Sequence, residues 1–401
     1  MKRNIEKLDL TLIYIFIFSI IYQSGSVIAA LKGTGLFFQV TRLSMLIIPI
    51  YYLYKYRNRK YYLFLFVGAI FSVFFVLINL ILYPNGVIQL AYKLVILMLS
   101  AIMFMIFKKK NTDIREYFYN CVLAIAFITL IFYVFADLLK LPLPYKYIYN
   151  GSGYYYRSFF GVFYTYHYNF LIPRLSGLFW EPGAYQIYLN IALFYYIFNK
   201  KSNVFQYLIL ILSIILTRST TGYCIACLLI AYQVIYSDYI SEKLRKKIII
   251  YATTSAVLLI VIILAIKIIT TSGDKGSFTL RIADISNGLK IFIKNPIFGT
   301  GFNNDGPFIA IDTFGRGSSN GFISYLYMTG IIGLVVVFFP FIINIKNNPN
   351  KRKPIVWFVL FILFNSTEPF YNLPLMGFFL GVEYALLFNW AFRRLKSERK
   401  N

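Results

Sequence analysis

Apolar runs of bilayer-crossing length recur along the chain, and short polar turns separate most of them. A spanning helix needs about 20 apolar residues, which predicts about twelve spans. They fall near residues 9–29, 36–54, 61–83, 87–107, 117–139, 183–198, 204–217, 221–237, 248–270, 321–343, 354–365 and 373–392. Those near 183, 204, 221 and 354 are short or polar at one end. Two polar segments are long, about 140–182 and about 271–320. Long connections of this kind are usually functional when they are ordered. The first is rich in tyrosine (Tyr145, Tyr147, Tyr149, Tyr154, Tyr155, Tyr156, Tyr164, Tyr166, Tyr168). In the second, Ile282, Ile285, Leu289 and Phe292 recur at helical spacing between Arg281 and Lys294. That pattern predicts an amphipathic helix on the membrane surface, ended by Asn295-Pro296.

Composition supports this reading. The 401 residues are 59% hydrophobic and 14% charged, against roughly 45–50% and about 25% in soluble domains. The expectation is an all-α polytopic membrane protein, with residues 1–401 forming one transmembrane domain. A net charge of +25 would suggest nucleic acid in a soluble chain, but here its placement matters more. Lys and Arg crowd every second loop: Lys2, Arg3, Lys7; Lys55, Arg57, Arg59, Lys60; Lys108, Lys109, Lys110, Arg115; Lys200, Lys201; Lys243, Arg245, Lys246, Lys247; Lys346, Lys351, Arg352, Lys353; and the tail from Arg393. The positive-inside rule then puts both termini in the cytoplasm and both long loops outside, with no nucleic-acid partner. The basic start and the apolar run after it lack a small-residue cleavage pattern and read as a retained anchor. Cys121, Cys224 and Cys227 lie in apolar runs. Cys224-x-x-Cys227 has no second half-site, so neither a metal nor another cofactor is expected. Nucleotide phosphate-loop, dinucleotide and His-Glu-x-x-His patterns are missing. The cytoplasmic loops are too short for a soluble catalytic domain. Any chemistry is therefore expected at the outer face, on a substrate that arrives through lipid.

Six arginines fall outside the cytoplasmic loops: Arg42, Arg157, Arg174, Arg218, Arg281 and Arg316. Arg174, Arg218 and Arg281 come from three separate outer segments, each beside a membrane boundary. A guanidinium fork matches phosphate oxygens, so their convergence would clamp a lipid-borne diphosphate at headgroup depth. The plainer alternative pairs each with a lipid headgroup, or with Glu181, Asp284 or Asp305. Arg157 and Arg316 read as solvated loop charges. Glu181 precedes Pro182 at the start of a span, which suits a helix cap. It equally suits a general base acting on a sugar hydroxyl. His167, the single histidine, is a weaker candidate base set among tyrosines. The tyrosines fit an interfacial belt or a platform for sugar rings. Lys93 and Glu383, inside spans, read as an intramembrane pair, whereas a transporter would use them as a path.

Four pieces, in this order, carry a family likeness. They are Arg174-Leu-Ser-Gly-Leu-Phe-Trp-Glu-Pro-Gly183; Leu216-Thr-Arg-Ser-Thr-Thr-Gly222; Arg281 to Lys294 with Asn295-Pro-Ile-Phe-Gly-Thr-Gly-Phe302; and Ser319-Asn-Gly-Phe-Ile-Ser-Tyr-Leu-Tyr-Met-Thr-Gly-Ile-Ile-Gly-Leu334. The chain resembles the O-antigen polymerase and ligase superfamily of bacterial envelope polysaccharide synthesis. The resemblance implies a multi-spanning, metal-independent glycosyltransferase of GT-C-like build in the bacterial plasma membrane. It implies undecaprenyl-diphosphate-linked glycan donor and acceptor at the outer face, and a chain-length regulator and a flippase of the same pathway as partners. Arg174, Arg218, Arg281, Glu181 and His167 are the catalytic candidates; Arg157, Arg316, Asn320 and Trp180 are the substrate-binding ones. Ligases carry a histidine where this chain has Ser319, which favours a polymerase of O-antigen, capsular or exopolysaccharide repeats over a ligase. A flippase is the rival from another class.

Overall fold

In a computed structural model, which describes residues 7–30, 35–149, 155–159, 163–167, 173–199, 203–236, 277–313 and 315–398, the apolar runs are helices. In chain order they are α1 (Lys7–Gly25), α2 (Val27–Ala30), α3 (Leu36–Lys55), α4 (Arg59–Leu82), α5 (Val87–Lys109), α6 (Ile114–Tyr133), α7 (Pro182–Phe198), α8 (Val204–Thr217), α9 (Thr220–Ile235), α10 (Ser277–Lys294), α11 (Gly306–Ile309), α12 (Gly321–Asn347), α13 (Arg352–Thr367) and α14 (Pro374–Glu398). Seven segments, those of α1, α3, α4, α5, α6, α12 and α14, are long and apolar enough to cross a membrane. α8 and α9 are shorter apolar helices; α7 and α13 fall on the remaining expected spans. The expected span at 248–270 lies outside the described residues.

The helices surround α7. Every residue of it from Ala184 to Tyr196 is buried, and it touches α6, α8, α9 and α13. A helix apolar on all sides has to sit inside other helices. Its polar positions bond to each other and to α9: Asn190 Nδ2 donates to Gln186 O and Oε1, both at 2.9 Å, and to Gly222 O at 3.3 Å, while Asn190 Oδ1 is buried without a hydrogen-bond partner. Gly222 permits the last contact, since a Cβ there would lie 2.9 Å from Gln186 Cβ. Small residues allow such close approach between membrane helices. At the other extreme, only 6% of the apolar window of α4 is buried. Phe66, Ile70, Phe71 and Phe74 face outward, as a lipid-facing helix requires.

α12 is broken at Gly330, whose φ of 64° and ψ of −164° belong to a region that is essentially glycine-only. The break frees backbone groups that must be paired inside a membrane protein. The segment Asn295–Phe302 supplies the partners. Ile331 N donates to Pro296 O at 2.9 Å, Thr300 N to Tyr327 O at 2.9 Å and Gly301 N to Met328 O at 3.0 Å. Gly299 (φ 72°) is equally required, because a Cβ there would lie 2.4 Å from Met328 C. Two of the four family-like pieces are thus the halves of one joint.

The tyrosine-rich segment is not irregular. Tyr145–Tyr149, Tyr155–Phe159, Phe163–His167 and Arg174–Gly177 form β1 to β4, an antiparallel sheet in sequential order. Tyr156 and Tyr164 are buried on it. The period-2 recurrence of tyrosine in 145–149 and 164–168 was the available signal.

The predicted amphipathic helix is α10. Asp284, Gly288 and Ile291 face the protein: Asp284 is fully buried, and a Cβ on Gly288 would lie 2.0 Å from Ile323 Cγ2. Ile282, Ile285 and Leu289 are exposed. Three of the four stripe residues therefore face away from the fold, while Phe292 packs partly buried against it. The expected Lys93–Glu383 pair does not form. Lys93, near the start of α5, donates to Asn372 Oδ1 and lies 4.4 Å over the Phe302 ring. Glu383, midway along α14, accepts from Asn344 Nδ2 at 2.7 Å. Each group has a nearer neutral partner at its own depth.

Candidate functional site

α7, α9 and α12 all begin at one end of the molecule, with Glu181, Ser219 and Asn320 as N-caps. The stretch 174–183 is bolted there at several points. Tyr133 Oη donates to Pro173 O at 2.9 Å. The end of β4 abuts α7, since a Cβ on Gly177 would lie 3.1 Å from the Tyr185 ring. Phe179 stacks on Tyr185 with ring centroids 4.9 Å apart. Trp180 N donates to Gly25 O at 3.1 Å, and Trp180 O accepts from Tyr156 Oη. Burial pushes the Tyr164 phenol up to about 12, with a hydrogen bond to Ser158 acting in the opposite sense. That ring stays neutral near pH 7.

Arg174 and Arg218 come together, though not as two parallel forks. Arg174 Nε donates to Thr217 O at 2.9 Å, and its Nη2 to Arg218 O at 3.3 Å. These carbonyls end α8, where the last C=O groups lack intrahelical partners. Arg218 itself caps α8 in the left-handed region (φ 51°), and its side chain is exposed. Arg174 is thus the strut that fixes the backbone from which the Arg218 guanidinium projects.

Glu181 is extended and makes no side-chain cap bond to α7, so the capping role expected from its position is not realised. A second carboxylate borders Gly183 beside it. A Cβ placed on Gly183 would lie 3.2 Å from Glu181 Oε1 and 3.4 Å from Glu368 Oε1. Glu368 is the C-cap of α13, and Gly321 at the start of α12 packs on its backbone, where a Cβ would lie 2.3 Å from Glu368 O. Glu368 was missed in the sequence. Its signal was Glu368-Pro369 at the end of an apolar run, which repeats Glu181-Pro182.

Asn320 caps α12, accepting from Ile323 N at 3.1 Å. Ser319 N and Oγ donate to Asp284 Oδ2 at 2.8 and 2.6 Å. This ties α10, the helix bearing Arg281, to the start of α12. The loop arginines are not solvated charges, as expected from sequence, but members of ion pairs. Arg157 bonds to Asp137, in the turn that follows α6. Arg316 lies 3.5 Å from both Asp284 and Asp312. Both acids are buried, and a buried carboxylate needs a cation or donors. The side chains of His167 and Arg281 lie outside the described residues, so their expected roles rest on position alone: His167 ends β3 and Arg281 lies in the second turn of α10.

Residues 205–338, about a third of the chain, match the family described as O-antigen ligase. The match supports the O-antigen polymerase and ligase superfamily. It spans the described helices from α8 into α12, and so includes Arg218, Arg281, Asp284 and Asn320. Arg174, Glu181 and Glu368 lie outside it. No curated protein matches the chain. Together with the long apolar helices, the match supports a multi-pass membrane protein and glycan transfer of the O-antigen ligase or polymerase type.

Proposed function

We propose that this chain polymerises lipid-linked oligosaccharide repeat units at the outer face of a bacterial plasma membrane, as one transmembrane domain. One observation carries the proposal: an arginine strut presenting a second arginine, at the end of the fold where two carboxylates converge. The donor is a glycan on undecaprenyl diphosphate. The acceptor hydroxyl of the next lipid-linked repeat attacks the anomeric carbon. The C–O bond to the diphosphate breaks, and its electron pair leaves with the diphosphate. Glu181 or Glu368 takes the hydroxyl proton, as general bases do when within hydrogen-bond reach. Arg218, set by Arg174, would face the charge that grows on the diphosphate, and α10 would contribute Arg281 to the same clamp. Preorganised donors of this kind contribute about 2.7–4 kcal/mol each. The guanidinium groups supply the cationic charge, so the reaction is expected to run in the presence of chelator. His167, Asn320 and Trp180 would contact the glycan. Arg157 and Arg316 would hold the sheet and the 312–320 loop in place. A chain-length regulator and a flippase of the same pathway would act with it.

The family description favours a second reading, transfer of the glycan to a different acceptor. Against it, Ser319 occupies the position at which ligases carry histidine, and it is engaged by Asp284. Incubating the purified protein with a lipid-linked repeat and chelator tests both. A ladder of chain lengths supports the polymerase. Transfer only to an added unrelated acceptor supports the ligase. No transfer, with repeats moved between leaflets of a vesicle instead, would support a flippase.

A further inference from the structure

At the opposite end of the helices, a cleft of about 820 Å³ opens where α4 starts and α5 and α14 finish. Arg59 and Lys60 from α4, Lys108 and Lys109 from α5, and Arg393 from α14 line it, and none of its described lining residues is acidic. The nearby carboxylates Asp113 and Glu383 act through space on Lys108, and their hydrogen bonds go elsewhere. Asp113 pairs with Arg115 at 2.7 Å, and Glu383 accepts from Asn344 at 2.7 Å. Lys60 donates to Asn389 Oδ1, a neutral acceptor, and lies 4.9 Å over the Phe392 ring. Asn58 caps α4 by accepting from Lys60 N at 2.9 Å, which turns the positive end of that helix dipole toward the cleft. Five like charges held together repel one another unless an anion joins them.

We infer that this cleft binds the phosphate headgroup of an acidic phospholipid in the leaflet on the lysine-rich side. Leu63, Met105 and Phe392 form an apolar wall of the cleft. That wall continues into the outward-facing residues of α4, Phe66, Ile70 and Phe74. A phosphate in the cleft would therefore have acyl chains lying along α4, whereas a free polyanion would leave that wall bare. Basic pockets between helices on the cytoplasmic side recognise lipid phosphates in this manner. The site is independent of the transferase reading and far from its carboxylates.

Native mass spectrometry of the purified full chain in detergent tests the assignment, with phosphatidylglycerol, phosphatidylcholine or inorganic pyrophosphate added. Phosphatidylglycerol should be retained and phosphatidylcholine not, and equimolar pyrophosphate should fail to displace the lipid. Arg59, Lys109 and Arg393 are exposed. The combined Arg59→Gln, Lys109→Gln, Arg393→Gln variant should therefore melt like wild type without lipid. It should retain phosphatidylglycerol at least about tenfold less well, since each cation contributes about a factor of five. Lys346→Gln with Lys351→Gln, on the same side but outside the cleft, should leave retention unchanged. Should the triple variant melt early, Lys109→Gln alone serves, with a loss of a few fold. Equal retention of phosphatidylcholine, wild-type retention by the cleft variants, or equal loss in the control would overturn the site. Full displacement by pyrophosphate would assign it to a free polyanion instead.

Discussion

Replacing Arg174 separates a strut from a phosphate ligand. Its guanidinium spans two successive carbonyls, Thr217 O at 2.9 Å and Arg218 O at 3.3 Å. A lysine ammonium is a point donor and reaches one of them. A charge-assisted hydrogen bond is worth about 1.5–3 kcal/mol, and the longer of these two sits at the low end. Arg174→Lys should therefore lower polymerisation on the order of tenfold. Arg174→Gln loses the charge and cannot span both carbonyls, and should lower it about 100-fold or more at the same scale. Arg218→Lys removes the fork that faces the diphosphate and should resemble Arg174→Gln. The assay is initial-rate extension of a fluorescent lipid-linked repeat by purified protein, with chain length read by gel. If Arg174 works through Arg218, the double variant should lose little beyond Arg218→Lys alone, because coupled sites are not additive. Full additivity would refute the strut, and wild-type rates in Arg174→Gln would remove the residue from the site.

Glu181→Gln and Glu368→Gln address the proton. The variant that removes the base should lose turnover by about 10²–10⁴ with KM little changed, and the other far less. Wild-type turnover in both would exclude the two carboxylates. Gly330→Ala puts a side chain at a glycine-only geometry and a Cβ 2.2 Å from Ile297 O. It should destabilise by about 1–3 kcal/mol or more, read as a lower melting temperature in detergent. An unchanged melting temperature would mean the break is not required. Asp9 is 1% exposed and accepts from Lys55 at 2.9 Å and Lys110 at 2.8 Å. Asp9→Asn should destabilise by about 2–3 kcal/mol, below the roughly 3–5 of a fully buried pair, because both lysines still touch water. A melting temperature equal to wild type would show that the pairs carry no net stability.

The spans were legible because lipid exposure demands long apolar helices, and their sequences declare it. α10 was legible for the same reason: its stripe of Ile282, Ile285 and Leu289 faces out. The sheet was not read, because tyrosine suits an interfacial loop and a strand equally well. Glu368 was missed since a lone carboxylate after a span resembles any loop acid. Only the approach of α7, α12 and α13 puts it beside Glu181. The Lys93–Glu383 error has a similar root. Both charges lie within spans, but depth along a helix decides the partner, and each found an asparagine nearer.

The placement of α7 ties fold to chemistry. A transferase that joins two long lipid-linked chains depends on orientation, and a misplacement of about 1 Å can lose 100-fold in rate. Glu181 stands at the first turn of the most enclosed helix in the described structure, and Phe179 before it is clamped between Tyr185 and α1. α9 is keyed to α7 by Gly222, Gln186 and Asn190, which fixes where the turn bearing Arg218 can lie. Arg174 then closes the circuit from β4 back to that turn. Arginine and carboxylate are thus held through one buried helix rather than through separate loops. A change deep in the bundle, such as Asn190→Leu, should therefore shift Arg218 relative to Glu181. It should lower kcat more than KM while the protein still folds. Equal falls in kcat and melting temperature across a series of α7 variants would mean instead that α7 only stabilises the fold.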